Sequence, residues 1–160
     1  MLQIGVIGAG ECSAAAALAA EAVGREIARN RAVLICGGLG GVMAAAARGA
    51  WEAGGTSVGI LPGMLMEEAN PHISIPIVTG MSHARNVVVV RSAHALIAIE
   101  GGYGTLSEIA FAKIDGTPVI GLDTWDLRRP GQEESPIQNA RDPKEAVAMA
   151  LAAARKRQGH

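Results

Sequence analysis

The chain has 160 residues, a formal net charge of −1 and only four aromatic residues. Hydrophobic residues make up 49% of it and charged residues 18%, which excludes an intrinsically disordered chain because such chains are poor in apolar residues and rich in net charge. The same numbers argue against nucleic acid as a partner, since nucleic-acid-binding proteins usually present a basic face or stacking aromatic rings.

Short apolar segments alternate with longer Ala-rich segments along the chain. Continuous apolar strands are typical of parallel sheets covered on both faces, and the alternation predicts a single Rossmann-like, doubly wound α/β domain over residues 1–160, with helices on both faces of a parallel sheet. The predicted strands cover residues 2–7, 32–36, 57–61, 73–78, 95–99 and 118–122. The predicted helices cover residues 13–30, 41–53, 82–92, 105–115 and 143–157.

Residues 87–90 are four consecutive valines, which have strong β propensity. They lie between two predicted strands that a parallel sheet has to join by a crossover of about a dozen residues. We therefore predict a buried helix there. Residues 61–71 and 125–136 each contain two prolines and are predicted as loops, with room for a short helical turn.

Two helix starts carry capping residues. Asp142 and Pro143 occupy the N-cap and the first helical position of the last helix. Thr105 and Glu108 fit a capping box, in which each side chain satisfies a backbone N–H group of the other. Glu108 therefore has a structural interpretation as well as a functional one.

Three glycine-rich turns follow the first, second and fifth predicted strands. In an open α/β sheet the carboxyl edge of the strands binds ligands. Glycine lets the backbone approach an anion, and the helix that follows directs free N–H groups to the same place. A phosphate-bearing small molecule is therefore the expected partner, although tight packing would explain any one turn alone. The predicted binding residues are Gly8, Gly10, Gly37, Gly38, Gly40, Gly101, Gly102, Gly104 and Thr105.

Other common sites do not fit the sequence. Ser13 stands where the dinucleotide fingerprint has its third glycine, and Cys36 stands where that fold has a ribose-binding acid. The G-K-[ST] ending of the ATPase phosphate loop is absent from the sequence. Cys12 and Cys36 lack metal-ligand spacing and are too few for a disulfide scaffold. We expect them to be small buried residues and predict no metal site.

The third turn and the segment before it resemble a known family. Residues 101–108, GGYGTLSE, are similar to the GGxGTxxE motif of the LOG-type family, also called lysine decarboxylase-like. Residues 37–43 resemble the second glycine turn of that family, and residues 83–86 resemble part of its MHERK segment. The order and spacing of these motifs extend the resemblance over essentially the whole chain. It is closest to the short branch that includes the molybdenum cofactor carrier proteins.

The resemblance implies a phosphoribohydrolase that releases a base from a nucleoside 5′-monophosphate. Arg85 and Glu108 would be its catalytic residues, and Gly102, Gly104 and Thr105 would hold the 5′-phosphate. The carrier branch implies instead that a molybdopterin-type ligand is bound without turnover, and neither alternative requires a further cofactor. A DNA-processing protein, related by fold, is a third alternative. The alternative for Arg85 is a solvent-exposed helix residue, because surface arginines are common.

Four positions depart from the pattern of the active enzymes. Glu100 replaces the proline before the two glycines, and Ser82, Ala84 and Asn86 replace the Met, Glu and Lys of the MHERK segment. The added acid at position 100 and the lost lysine at position 86 reduce the positive charge offered to a phosphate. The residues therefore leave the choice between hydrolase and carrier open.

We expect a cytoplasmic protein without a membrane anchor. No stretch reaches the ~18–20 apolar residues needed to cross a bilayer, and the start of the sequence lacks the basic flank of a signal peptide. The family resemblance also implies a homo-oligomer. Its subunit contacts would use the valine helix and the Ala-rich helix faces, which allow close packing.

Overall fold

The computed structural model describes residues 1–159, in which seven parallel strands and five α-helices form a Rossmann-like α/β fold, as predicted. The strands are β1 (Gln3–Gly8), β2 (Val33–Cys36), β3 (Ser57–Leu61), β4 (Ile75–Val78), β5 (Ala95–Glu100), β6 (Val119–Thr124) and β7 (Gln138–Asn139). The helices are α1 (Ala14–Arg29), α2 (Val42–Glu52), α3 (Arg85–Arg91), α4 (Tyr103–Ile114) and α5 (Pro143–Gln158). Short 3₁₀ turns lie at Met66–Glu68 and Ser82–Ala84.

The strand order is β4-β3-β2-β1-β5-β6-β7. The chain moves outward from β1 to β4, returns to β5 directly beside β1, and then moves outward in the opposite direction. Common doubly wound sheets place the fourth strand beside the first, whereas here β4 extends the first half as an edge strand. The order still reverses beside β1, so a crevice opens between the carboxyl ends of β1 and β5.

Each face of the sheet has its own hydrophobic core. Ile4 and Val6 of β1 lie in the core shared with α1, α2 and α5, whereas Ile7 lies in the core shared with α3 and α4. This alternation follows from the two-residue period of a strand. Full burial of one such side chain contributes about 1.5–3 kcal/mol, so the two cores hold the helices on both faces of the sheet.

The helices α1 and α2 pack closely through two glycines. A Cβ on Gly49 of α2 would collide with the carbonyl oxygen of Glu21, and a Cβ on Gly24 of α1 would collide with that of Ala46. The side chain of Glu21 also forms an ion pair with Arg48 across the two helices. Glycine at both positions therefore lets the two backbones touch.

The valine segment is helical, as predicted, and Val89 and Val90 of α3 are fully buried. The predicted cap of α5 is also present, since Asp142 Oδ1 accepts a hydrogen bond from the Glu145 N–H at 2.8 Å. None of the helices in residues 1–159 is long and apolar enough to cross a membrane.

The capping box predicted for Thr105 and Glu108 is wrong. Helix α4 begins earlier, at Tyr103, with Gly102 as its N-cap. Gly101 has φ +109° and turns the chain sharply after β5, so the helix begins directly after the strand. Thr105 and Glu108 are consequently helix-interior residues, and both are buried.

Candidate functional site

A cleft of about 920 Å³ opens at the carboxyl ends of β1 and β5. The first and third glycine turns and the starts of α3 and α4 surround it. Most of the predicted site residues line this one cleft, and they come from segments far apart in the sequence. They are Gly8, Gly10, Gly37, Arg85, Gly101, Gly102, Gly104, Thr105 and Glu108.

Two predicted binding residues, Gly38 and Gly40, are not among the residues that line the cleft. Gly38 is buried against Gly59 of β3, and Gly40 lies beside the carbonyl oxygen of Gly10. Both glycines thus let the second turn pack against its neighbours. In that turn it is Gly37 that faces the cleft.

Arg85 is the first residue of α3 and is only 8% exposed, so its interpretation as a solvent-exposed residue is wrong. Its guanidinium donates to the Gly37 carbonyl oxygen at 3.3 Å and to Asn86 Oδ1. Within residues 1–159 the buried Nε atom has no hydrogen-bond partner. Burial lowers the pKa of Arg85, and the negative charge of Glu108 acts in the opposite direction. A buried cation with an unpaired donor is costly in a purely structural role.

Glu108 lies one turn inside α4 and is 6% exposed. Burial raises its pKa to about 8, although the charge of Arg85 partly opposes the shift. At neutral pH the side chain is therefore mainly a protonated carboxylic acid. Arg85 and Glu108 do not form an ion pair within the described residues, so their attraction acts at longer range within the cleft.

Two of the residues that depart from the LOG-type pattern, Glu100 and Asn86, make specific contacts. The Glu100 carboxylate accepts hydrogen bonds from the Ser13 N–H at 3.3 Å and from the Ser13 hydroxyl. Asn86 Nδ2 donates to Ser107 Oγ at 3.0 Å and to the Gly104 carbonyl oxygen at 3.5 Å. Glu100 thus reaches toward α1, whereas Asn86 links α3 to α4.

Several residues of the cleft are not among the predicted site residues, and they include Asp123 and Trp125. Trp125 Nε1 donates to the Gly102 carbonyl oxygen at 3.3 Å, and its ring centroid lies 6.0 Å from that of the exposed Tyr103. Asp123 has φ +53° and an exposed side chain. Asp123 lies at the carboxyl end of β6 and Trp125 directly follows the strand. The strand ends at the same sheet edge as the glycine turns, and this position is the signal that could have found both residues.

Neither cysteine has the properties of a reactive thiol. Burial raises the pKa of Cys36 to about 11, and it also raises the pKa of Cys12. The reactive form of a cysteine is the thiolate, which a raised pKa disfavours. In the part of the chain that the structure describes, His, Cys, Asp and Glu side chains form no group of three suited to a metal ion.

Comparison with known proteins gives relatives of two kinds. An uncharacterised protein of Archaeoglobus fulgidus is 52% identical over 122 residues, which are 76% of this chain and 80% of that protein. The cytokinin riboside 5′-monophosphate phosphoribohydrolase of Mycobacterium tuberculosis is 37% identical over 118 residues, 68% of this chain and 62% of the enzyme. This chain therefore matches less than two thirds of the length of that enzyme.

Among solved structures, the molybdenum cofactor binding protein from Rippkaea orientalis matches with a TM-score of 0.86 and 35% identity. The match covers 94% of this chain and 96% of that protein. The resemblance to LOG-type proteins and to the short carrier branch is thus confirmed. The family model that matches this sequence covers residues 1–155. The chain belongs to the SLOG cluster4 family.

Proposed function

We propose that the cleft binds a planar heterocycle carrying one phosphate, and that it hydrolyses the N-glycosidic bond of a nucleoside 5′-monophosphate. The observation that carries this proposal is the pair formed by Glu108 and Arg85, a buried neutral acid and a buried cation lining one cleft. Hydrolysis of such a bond needs a proton for the leaving base and electrostatic stabilisation of the sugar phosphate.

The start of α4 is the proposed phosphate site. Its N-cap, Gly102, forms no side-chain capping hydrogen bond, so N–H groups of the first turn remain available to an anion. Gly104 and Thr105 lie in that turn and line the cleft. The heterocycle would lie near Trp125 and Tyr103, whose rings offer apolar faces for stacking.

In the proposed reaction, the bond between the base and ribose C1′ breaks while a water oxygen bonds to C1′. Glu108 donates its proton to the leaving nitrogen of the base, and the carboxylate that results takes a proton from the attacking water. The products are the free base and ribose 5-phosphate. Arg85 would bind the sugar phosphate through its guanidinium, which stays cationic throughout.

A panel of nucleoside 5′-monophosphates tests the proposal, with free base measured by chromatography. We expect Glu108→Gln to lower kcat by at least about 100-fold, the range typical of general acid catalysis. Arg85→Lys should reduce kcat/KM strongly, because lysine lacks the planar guanidinium fork. The matched control is Glu133→Gln, which changes an exposed glutamate in the loop after β6 and should leave activity unchanged. Base release that is equal in wild type and Glu108→Gln would contradict the hydrolase proposal.

The second candidate function is a non-catalytic carrier of a molybdopterin-type ligand. The observation that favours it is the match to the Rippkaea orientalis protein over nearly the full length of both chains. Trp51→Phe leaves Trp125 as the single tryptophan, so quenching of its fluorescence reports binding at the cleft. Quenching by a pterin phosphate, without base release from any nucleotide of the panel, would favour the carrier. Quenching by nucleoside monophosphates together with base release would favour the hydrolase.

We also propose a homo-oligomer. Subunit contacts through the valine helix and the Ala-rich helix faces stay part of this proposal, although Val89 and Val90 are buried within the chain. Seven of the twelve exposed large apolar side chains lie in the edge strand β4 or in the segments just before and after it. They are Met64, Leu65, Met66, Ile75, Ile77, Val78 and Met81. An apolar surface of this kind is typical of a protein interface.

We also propose that the protein is located in the cytoplasm. Cys12 and Cys36 are unpaired, which agrees with a reducing compartment because disulfides are rare there. Fractionation of cells that express the full-length protein would test this location.

A further inference from the structure

Helices α1, α3 and α4 begin beside the cleft, and α1 and α4 follow the adjacent strands β1 and β5. The N-termini of α1 and α4 differ in one respect. The N-cap of α4 forms no side-chain hydrogen bond. At α1, the Ser13 side chain caps the helix by accepting from the Ala16 N–H at 3.1 Å. Ser13 in turn donates both its N–H and its hydroxyl to the Glu100 carboxylate. A negative charge of the protein itself therefore already lies at the start of α1.

The position of this carboxylate matters because β1 and β5 are adjacent, with Gly8 of β1 aligned with Ile99 of β5. Neighbouring strands lie about 4.8 Å apart, so the turns that follow them are close together. In dinucleotide-binding folds the pyrophosphate lies at the N-terminus of the helix after the first strand. In this protein, Glu100 occupies the start of that helix.

The backbone holds Glu100 in this orientation. Its φ is +47°, a left-handed conformation that glycine adopts readily and glutamate does not. The pairing of β5 with β6 shifts register between Ile99 and Glu100, and the Thr124 hydroxyl donates to the Glu100 carbonyl oxygen at 2.6 Å. These contacts hold the backbone of Glu100 so that its carboxylate lies between the turns that follow β1 and β5.

We infer that Glu100 is a specificity-determining residue that restricts the cleft to ligands with a single phosphoryl group. It leaves the start of α4 open to one phosphate and repels a second phosphate at the start of α1. The inference rests on the proposed function, because it takes the first phosphate to bind at α4. The class of ligand excluded is the nucleoside diphosphates.

The experiment compares the Kd of adenosine 5′-monophosphate with that of adenosine 5′-diphosphate by calorimetry, without divalent cations. We expect the wild type to prefer the monophosphate by at least about tenfold, since a second charge-bearing group meets a fixed carboxylate. Glu100→Gln removes the charge and keeps the shape, whereas Glu100→Gly suits φ +47° and clears the space. Both variants should bring the ratio of the two Kd values to within about threefold.

Asp123→Asn is the matched control. Asp123 is a second carboxylate that lines the cleft at positive φ, so its removal changes the charge of the cleft by the same amount. We expect it to change both Kd values by a similar factor and to leave their ratio unaltered. An unaltered ratio in both Glu100 variants, or an equal loss of preference in Asp123→Asn, would overturn the inference while monophosphate binding persists. Failure of the wild type to bind either nucleotide would overturn the proposed function and this inference together.

Discussion

Glu108 gives the protein a titratable group whose ionisation changes between the folded and the unfolded chain. Burial raises its pKa in the folded state to about 8, so the folded chain keeps a proton that the unfolded chain releases near the ordinary carboxyl pKa. The free energy of unfolding should therefore fall as the pH rises from about 5 to about 8, by up to about 1.4 kcal/mol per pH unit for one proton. Above this range the contribution becomes constant.

Glu108→Gln should remove this slope, because the amide does not titrate. Urea unfolding of both proteins across the range gives the difference in unfolding free energy, which should grow with pH and then level off. Glu145→Gln is the control: the hydrogen bonds from Arg141 lower the pKa of Glu145 to about 2. The stability that Glu145 provides is lost only as the pH falls below the ordinary carboxyl pKa. If the unfolding free energies of wild type and Glu108→Gln ran parallel across this pH range, Glu108 would be ionised in the folded protein, and the prediction would be contradicted.

At the level of elements, the close contact of α1 with α2 depends on Gly49. Alanine there would place its Cβ against the carbonyl oxygen of Glu21 and push the helices apart, at a cost of about 1–3 kcal/mol for overpacking. Gly104→Ala is the control, because nothing lies within 4 Å of its Cβ position and alanine favours a helix. Urea unfolding should show a lower midpoint for Gly49→Ala alone. Equal midpoints for the two variants would contradict the contact.

The elements also show how far the sequence predicts the fold. Apolar runs and the crossover argument locate β1 to β6 and the valine helix, because burial on both faces leaves a continuous apolar pattern. The two-residue strand β7 (Gln138–Asn139) is too short to leave one. The edge position of β4 depends on pairing between distant segments, which the pattern of a single strand does not contain. The T-x-x-E pattern at Thr105 misplaces a helix start because the same spacing also occurs within a helix turn.

The candidate site is also predicted only in part by local sequence patterns. The glycine turns predict the sheet edge correctly, because this edge is a property of the topology. The contact of Glu100 with Ser13 joins residues 87 positions apart, and Trp125 enters the cleft from a segment predicted only as a loop. Burial of Arg85 under Gly37 likewise comes from packing between elements. Such contacts depend on tertiary structure and have no local pattern.

For the whole molecule, we propose that the apolar surface around β4 is the contact between subunits. Ile77→Lys would place a charge in this surface and should shift the protein toward the monomer in size-exclusion chromatography with light scattering, because an interface core excludes unpaired charges. Ile114→Lys is the control, since Ile114 is also exposed but lies at the end of α4. Unchanged circular dichroism would show that both variants fold. A monomeric wild type, or the same shift in both variants, would place the subunit contact elsewhere or remove it.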